Sequence, residues 1–118
     1  MQKLEYALCA LLALGGAGHL LGTFSGYPIG SEVFVWSLSA TAFTFLIVFL
    51  QALRIQRPHD RPVTIGATVA TIAWLGLALS FGSAVGDIAD PRAMMHALVS
   101  AALLATTAFG RLRAPAAA

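Results

Sequence analysis

Residues 33–53 read VFVWSLSATAFTFLIVFLQAL, a stretch without one charged side chain. Its length is near the roughly 20 residues that a helix needs to cross the hydrocarbon core of a bilayer. Val, Ile, Phe and Thr are frequent in it, and in water they would tilt it toward strand. Lipid removes that choice. Hydrocarbon offers no partner to a free N–H or C=O, so a single segment must satisfy its own backbone, as a helix does. A barrel strand would alternate apolar and polar residues, and this run does not. The stretch reads as a transmembrane helix.

Three further apolar runs have the same character: about residues 4–24, 62–81 and 91–109. Between them stand turn and cap residues. Ser25-Gly26-Tyr27-Pro28-Ile29-Gly30-Ser31 is rich in turn formers, with Ser31 as an N-cap before Glu32 in a favourable first-turn position. Arg54 to Arg61 forms a polar link ending in Asp60-Arg61-Pro62. The link from Gly82 to Asp90 closes the third run with glycine, and Asp90-Pro91 opens the fourth with a cap and a proline at the first helical position. The predicted fold is all-α: an integral membrane four-helix bundle, up-down-up-down, with residues 1–118 as one transmembrane domain.

Composition agrees. Of 118 residues, 58% are hydrophobic and 10% charged, whereas soluble domains carry about one quarter charged residues. The mean hydropathy is +0.83. The net charge of +2 forms no basic patch with interleaved aromatics, so nucleic acid is not a partner. The bilayer itself is the expected partner, with a membrane-protein partner or a second copy of the chain beside it. Cys9 is the only cysteine, which excludes an intramolecular disulfide and leaves a small hydrophobe.

The basic residues orient the chain. Lys3, Arg54, Arg57, Arg61, Arg111 and Arg113 fall on one side of the four spans, and only Arg92 falls on the other. The positive-inside rule then puts both termini in the cytoplasm, with the protein multi-pass in the inner (plasma) membrane. Tyr27 and Trp36 mark the outer boundary and Tyr6 the inner one. Lys3 followed by an apolar run also resembles a secretory signal, with small residues at 13–18 as cleavage sites. Glu5 in the charged region and the long apolar continuation favour retention.

Small and weakly polar residues are striped for helix association. Gly18, Gly22 and Gly26 are spaced by four, as are Ala97, Ala101 and Ala105, and such ridges let another helix approach closely. Ser37, Thr41, Thr44 and Gln51 share a face of the second run; Thr64, Thr68 and Thr71 share one of the third; Ser100 and Thr107 share one of the fourth. These side chains are expected to point inward, as packing contacts or as the lining of a polar interior.

Two histidines lie inside apolar runs, where an ionisable side chain usually has a partner or a task. His19 is five residues before Phe24 and His96 five after Pro91, so both lie about 7–8 Å inside the outer boundary at 1.5 Å per residue. If the first and fourth helices are neighbours, the imidazoles share a level. Three readings follow: each ring bonds a carbonyl or hydroxyl and supports packing; the pair ligates a b-type haem, with Gly15 and Gly22 making room; or the pair binds a metal with Asp87, Asp90, Met94 or Met95. Trp74, too deep for an interfacial aromatic belt, needs an acceptor for its N–H, or walls a pocket. Arg92 is expected to pair with Asp87 or a lipid phosphate. His59 belongs to solvated surface.

Catalytic signatures such as Cys-x-x-Cys, His-Glu-x-x-His and Gly-x-Ser-x-Gly are absent from the sequence. The layout is that of many small bacterial four-helix inner-membrane proteins, and the run Gly18 to Thr23 carries no motif with an activity attached. The first functional expectation is therefore a non-enzymatic accessory or interaction subunit of a membrane complex. The second is a carrier of haem, metal or a small apolar ligand held between His19 and His96 near the outer leaflet.

Overall fold

The computed structural model describes residues 1–113, with side chains described through residue 110; the Ala-Pro-Ala-Ala-Ala tail and the side chains of Arg111 and Arg113 lie outside the described residues. Four helices follow one another: α1 (Gln2–Gly26), α2 (Glu32–Gln56), α3 (Arg61–Ala84) and α4 (Pro91–Arg113). Each is long and apolar enough to cross a membrane. α1 packs on α2 and α4, and α3 packs on α2 and α4, so the four contacts close a ring.

Every helix runs a few residues beyond its apolar run, because caps and turns rather than the last apolar side chain set the ends. The Ser31 hydroxyl accepts from Phe34 N–H at 3.2 Å and opens α2. Before it, Ser31 N–H bonds Pro28 C=O across Gly30 at φ +83°, the positive φ a type II turn needs at that position. Asp60 opens α3 by accepting from Val63 N–H at 3.2 Å. A glycine of the Gly82–Asp90 link closes α3, as expected. The stop is Gly86 at φ +75°, with Asp87 N–H on Gly82 C=O at 3.0 Å and Gly86 N–H on Ser83 C=O at 3.1 Å, the bonding of a Schellman motif. Gly82 has a packing task instead: a methyl there would stand 3.3 Å from Asp87 C=O and from Ile88 Cα, where the link folds back.

The distribution of side chains is inverted relative to a soluble protein. Leu14, Leu21, Trp36, Phe49 and Leu98 are exposed, while Thr44, Gln51, Thr71 and Ser100 are fully buried. An apolar cluster of Leu8, Cys9, Leu12, Ile47, Ile55, Trp74, Val99 and Leu103 fills the space between the helices. The hydroxyl stripes point inward as their spacing predicts. Thr44, Thr64, Thr68, Thr71 and Thr107 each donate to the carbonyl four residues back.

One placement corrects the sequence reading. Arg54 is not in the polar link but inside α2, 8% exposed. It donates to Glu5 at 2.8 Å and to Gln51 at 2.6 Å, while Gln51 donates to Thr71 at 2.8 Å. This network ties α1, α2 and α3 together near one end. A guanidinium that meets a carboxylate and an amide in the interior has its charge and donors matched, so α2 extends past its apolar run to bring Arg54 there. The start of α1 also meets the end of α4, with Met1 beside Gly110.

Candidate functional site

At the opposite end from Glu5 lies a cavity of about 600 Å³, lined by residues of all four helices. α1 contributes Gly15, Gly18, His19, Gly22 and Thr23; α2 contributes Ser37 and Ala40. Trp74, Leu77, Ala78 and Phe81 come from α3, and Arg92, Ala93, Met95 and His96 from α4. His19 and His96 therefore line one space, together with Trp74, Gly15 and Gly22. Sites for small molecules commonly measure about 300–1,000 Å³, with apolar walls and a few polar groups.

The hydrogen bonds fix which groups remain free. His19 Nδ1 lies 3.0 Å from Thr41 Oγ1, and Thr41 Oγ1 lies 3.2 Å from Ser37 C=O. Both bonds form together only if Thr41 donates to the carbonyl and His19 Nδ1–H donates to Thr41. In a site short of water the arrangement that makes both bonds is favoured, since an unmet polar group there is expensive. The His19 proton therefore sits on Nδ1, and Nε2 keeps a lone pair. The same logic applies one turn on: Thr23 donates to His19 C=O at 2.8 Å, so Ser37 donates to Thr23 across 2.6 Å.

His96 is held in the other tautomer. Trp74 Nε1–H, which can only donate, meets His96 Nδ1 at 3.3 Å. A neutral ring accepting at Nδ1 carries its proton on Nε2. The rings stand edge to face, centroids 5.4 Å apart, with Phe43 on another side of the indole at 5.9 Å. Trp74 thus has the acceptor its depth demanded and also walls the cavity. Neither Nε2 has a hydrogen-bond partner, and among the described residues the only enclosed side-chain polar atom without one is Ser100 Oγ. Both rings line the cavity, and neither Nε2 is fully enclosed.

Gly15 and Gly22, predicted alike, do different things. A methyl on Gly15 would collide with Met95 and stand 2.9 Å from His96 Cε1, so this glycine seats the His96 ring against α1. A methyl on Gly22 would meet nothing within 4 Å, nor would one on Gly18. Among the described residues no helix packs on the Gly18, Gly22, Gly26 ridge; its first two members border the cavity.

The acidic residues near the mouth are engaged elsewhere. Arg92 pairs with Asp90, not Asp87 as expected, through Nε at 3.0 Å and a terminal nitrogen at 2.7 Å. Asp90 is two residues away and already fixed by accepting Arg92 N–H at 2.8 Å, which places its carboxylate beside the guanidinium. Asp87 instead accepts from Ala89 N–H at 2.9 Å. The Arg92 guanidinium, lying 5.3 Å from the Phe81 ring centre, holds the Asp90 carboxyl down to about 2 by hydrogen bonding. Among the described residues no group of three or more His, Cys, Asp or Glu side chains is placed to hold a metal ion. His59 is exposed.

Sequence reasoning assigned Ser37 and Thr41 to packing and did not place them at the histidines. The signal was present in the spacing, since both stand on the polar face of α2. Comparison with family models, with curated proteins and with solved structures finds no match to this chain.

Proposed function

We propose that this chain is a multi-pass protein of the inner (plasma) membrane, an up-down-up-down bundle with both termini cytoplasmic, that holds a small, largely apolar ligand between His19 and His96. The observation that carries the reading is the cavity of about 600 Å³ lined by both histidines, whose Nε2 atoms have no hydrogen-bond partner. The exposed leucines and aromatics with buried hydroxyls between them suit hydrocarbon as the surrounding solvent. Retention of α1 is part of the proposal, since Leu12 is fully buried and Glu5 is paired with Arg54.

A small ligand fits the tautomers better than haem or a metal ion. A ligating histidine usually donates its second ring N–H to a carbonyl or carboxylate and binds through the unprotonated nitrogen. His19 has that form. His96 does not: Trp74 occupies Nδ1 as a donor and leaves the proton on Nε2. Gly15, proposed as room for a macrocycle, is already occupied by the His96 ring.

Native mass spectrometry of protein released from mild detergent tests the reading. A bound small molecule is expected, and Gly22→Leu, at a cavity-lining position where an added Cβ meets nothing within 4 Å, should expel it. Gly66→Leu, at a second glycine with open surroundings and away from the cavity, should retain it. A preparation from native membrane that is empty in every form would overturn the proposal. A Soret band lost in both His19→Ala and His96→Ala would replace the small ligand with haem.

The accessory-subunit reading is supported by one observation, the open backbone at Gly26 and Gly66 where another helix has room to approach. It predicts a stoichiometric membrane partner in the same preparation, and a chain that is always recovered alone would refute it.

A further inference from the structure

Resting on the ligand-holding reading, the geometry points to the chemical class of the occupant: we propose a neutral amphiphile whose head group is a hydroxyl. The cavity presents two unmet needs of opposite kind. His19 Nε2 has a lone pair and needs a donor; His96 Nε2–H needs an acceptor. Both follow from the fixed partners at Nδ1, Thr41 on one ring and Trp74 on the other. A hydroxyl supplies a donor and an acceptor from a single atom centre. A ketone or an ether only accepts and leaves His19 unmet.

The charge at the mouth argues for neutrality. Arg92 is the cation lining the cavity, and two of its nitrogens are bound to the Asp90 carboxylate. The pair carries no net charge to draw in a carboxylate or phosphate. Leu77, Ala78 and Phe81 form an apolar wall on α3, and the unfilled space beside Gly18 and Gly22 accommodates an alkyl or ring portion. Two sources of this chemistry exist, an aliphatic lipid alcohol and the phenolic head of a quinol.

Trp74 provides the readout. The chain has two tryptophans, so Trp36→Phe leaves Trp74 as the sole emitter beside the site. In dodecyl maltoside, 1-decanol and 4-heptylphenol should each change Trp74 emission saturably. Their methyl ethers should bind about tenfold more weakly, the loss expected for one hydrogen bond in a dry site, and decanoate at pH 8 should bind more weakly than decanol. His19→Phe should abolish the preference for hydroxyl over ether, while His19→Gln, which keeps an acceptor, should restore part of it. His96→Phe should weaken alcohols and ethers alike. The tighter of decanol and heptylphenol identifies the source.

Equal affinity for hydroxyls and ethers would overturn the hydroxyl assignment while leaving a ligand site in place. Tighter binding of decanoate would overturn neutrality. Failure of every probe, with an empty cavity in native protein, would remove the ligand-holding reading as well.

Discussion

The two ends of the helix assembly satisfy their interior polar groups in opposite ways. Near Glu5 the network closes on itself: Glu5 accepts from Arg54, Arg54 donates to Gln51, and Gln51 donates to Thr71. Around it Leu8, Leu12, Ile47 and Leu103 are buried. Near His19 and His96 each ring has one nitrogen satisfied and an Nε2 without a hydrogen-bond partner beside the cavity. The Glu5 end pins three helices through one chain of bonds, whereas the histidine end leaves polar groups unpaired. A buried network that is complete serves architecture, and the incomplete one beside a cavity is what the proposed ligand site draws on.

The largest effect should come from breaking the closed end. Glu5→Gln leaves the Arg54 guanidinium buried without its counter-charge, a change that commonly destabilises by about 3–5 kcal/mol. Unfolding in mixed micelles should register that loss. The double variant Glu5→Leu/Arg54→Met should recover most of it, because replacing both partners by apolar groups removes the buried charge as well. A double variant as unstable as the sum of its parts would show that the ion pair is not the unit that matters.

The glycines of α1 sharpen the comparison. Gly15→Ala should push Met95 and His96 away, strain the Trp74 bond and cost about 1–3 kcal/mol, as overpacking does. Gly22→Ala meets no neighbour and should be neutral or favourable, since alanine is the better helix former by up to about 1 kcal/mol. Trp74 emission should move in Gly15→Ala and stay in place in Gly22→Ala. If both variants behave alike, the seating of His96 on α1 is wrong.

Much of the fold was legible because helices long and apolar enough to span a membrane declare themselves by length and hydropathy. The caps at Ser31 and Asp90 were legible too, since both side chains accept backbone N–H bonds at the helix starts where they were expected, whereas the cap at Asp60 was read only as link. The meeting of His19 and His96 in one cavity followed from equal depth on helices that prove to be neighbours. Less legible was Arg54, read as link because a charge after an apolar run normally ends a span. Its burial depends on Glu5, 49 residues away in sequence, and no local pattern announces that pairing. A seven-residue recurrence did carry part of the signal. Glu5, Leu12 and His19 stand on one face of α1, as Ser37, Thr44 and Gln51 do on α2 and Ala93, Ser100 and Thr107 on α4, and such spacing keeps one side toward its neighbours. The glycine ridge was legible as accessible backbone, but spacing by four does not say what approaches it.

A smaller effect is expected at Ser100, which is fully buried with a hydroxyl that bonds nothing. An unpaired buried hydroxyl is costly, and removing it restores little surface to fill. Ser100→Ala should stabilise the protein by about 1 kcal/mol, in contrast to Thr71→Ala, which takes away the acceptor of Gln51 and should destabilise. Stabilisation measured in the same mixed-micelle unfolding checks the pair, and a destabilised Ser100→Ala would mean that the hydroxyl has a partner after all.

The smallest effect concerns the mouth of the open end, where the Asp90–Arg92 pair meets solvent through an Arg92 side chain 72% exposed. Solvent screening makes such a pair a weak contributor to stability, but its pH dependence has a defined sign. The Arg92 hydrogen bond lowers the Asp90 carboxyl from 3.8 to about 2. A group depressed in the folded state stabilises fully above its unfolded value and loses that contribution as pH falls through its folded value. The contribution should therefore be complete above about pH 4 and fade toward pH 2, over the interval those two values bracket. Asp90→Asn should flatten this portion of the stability profile, while its amide oxygen still accepts from the start of α4 and preserves the helix end. The neutral mouth would then become cationic, so decanoate should gain on decanol at pH 8 in that variant. An unchanged ratio would separate the charge of the Asp90–Arg92 pair from selection at the cavity.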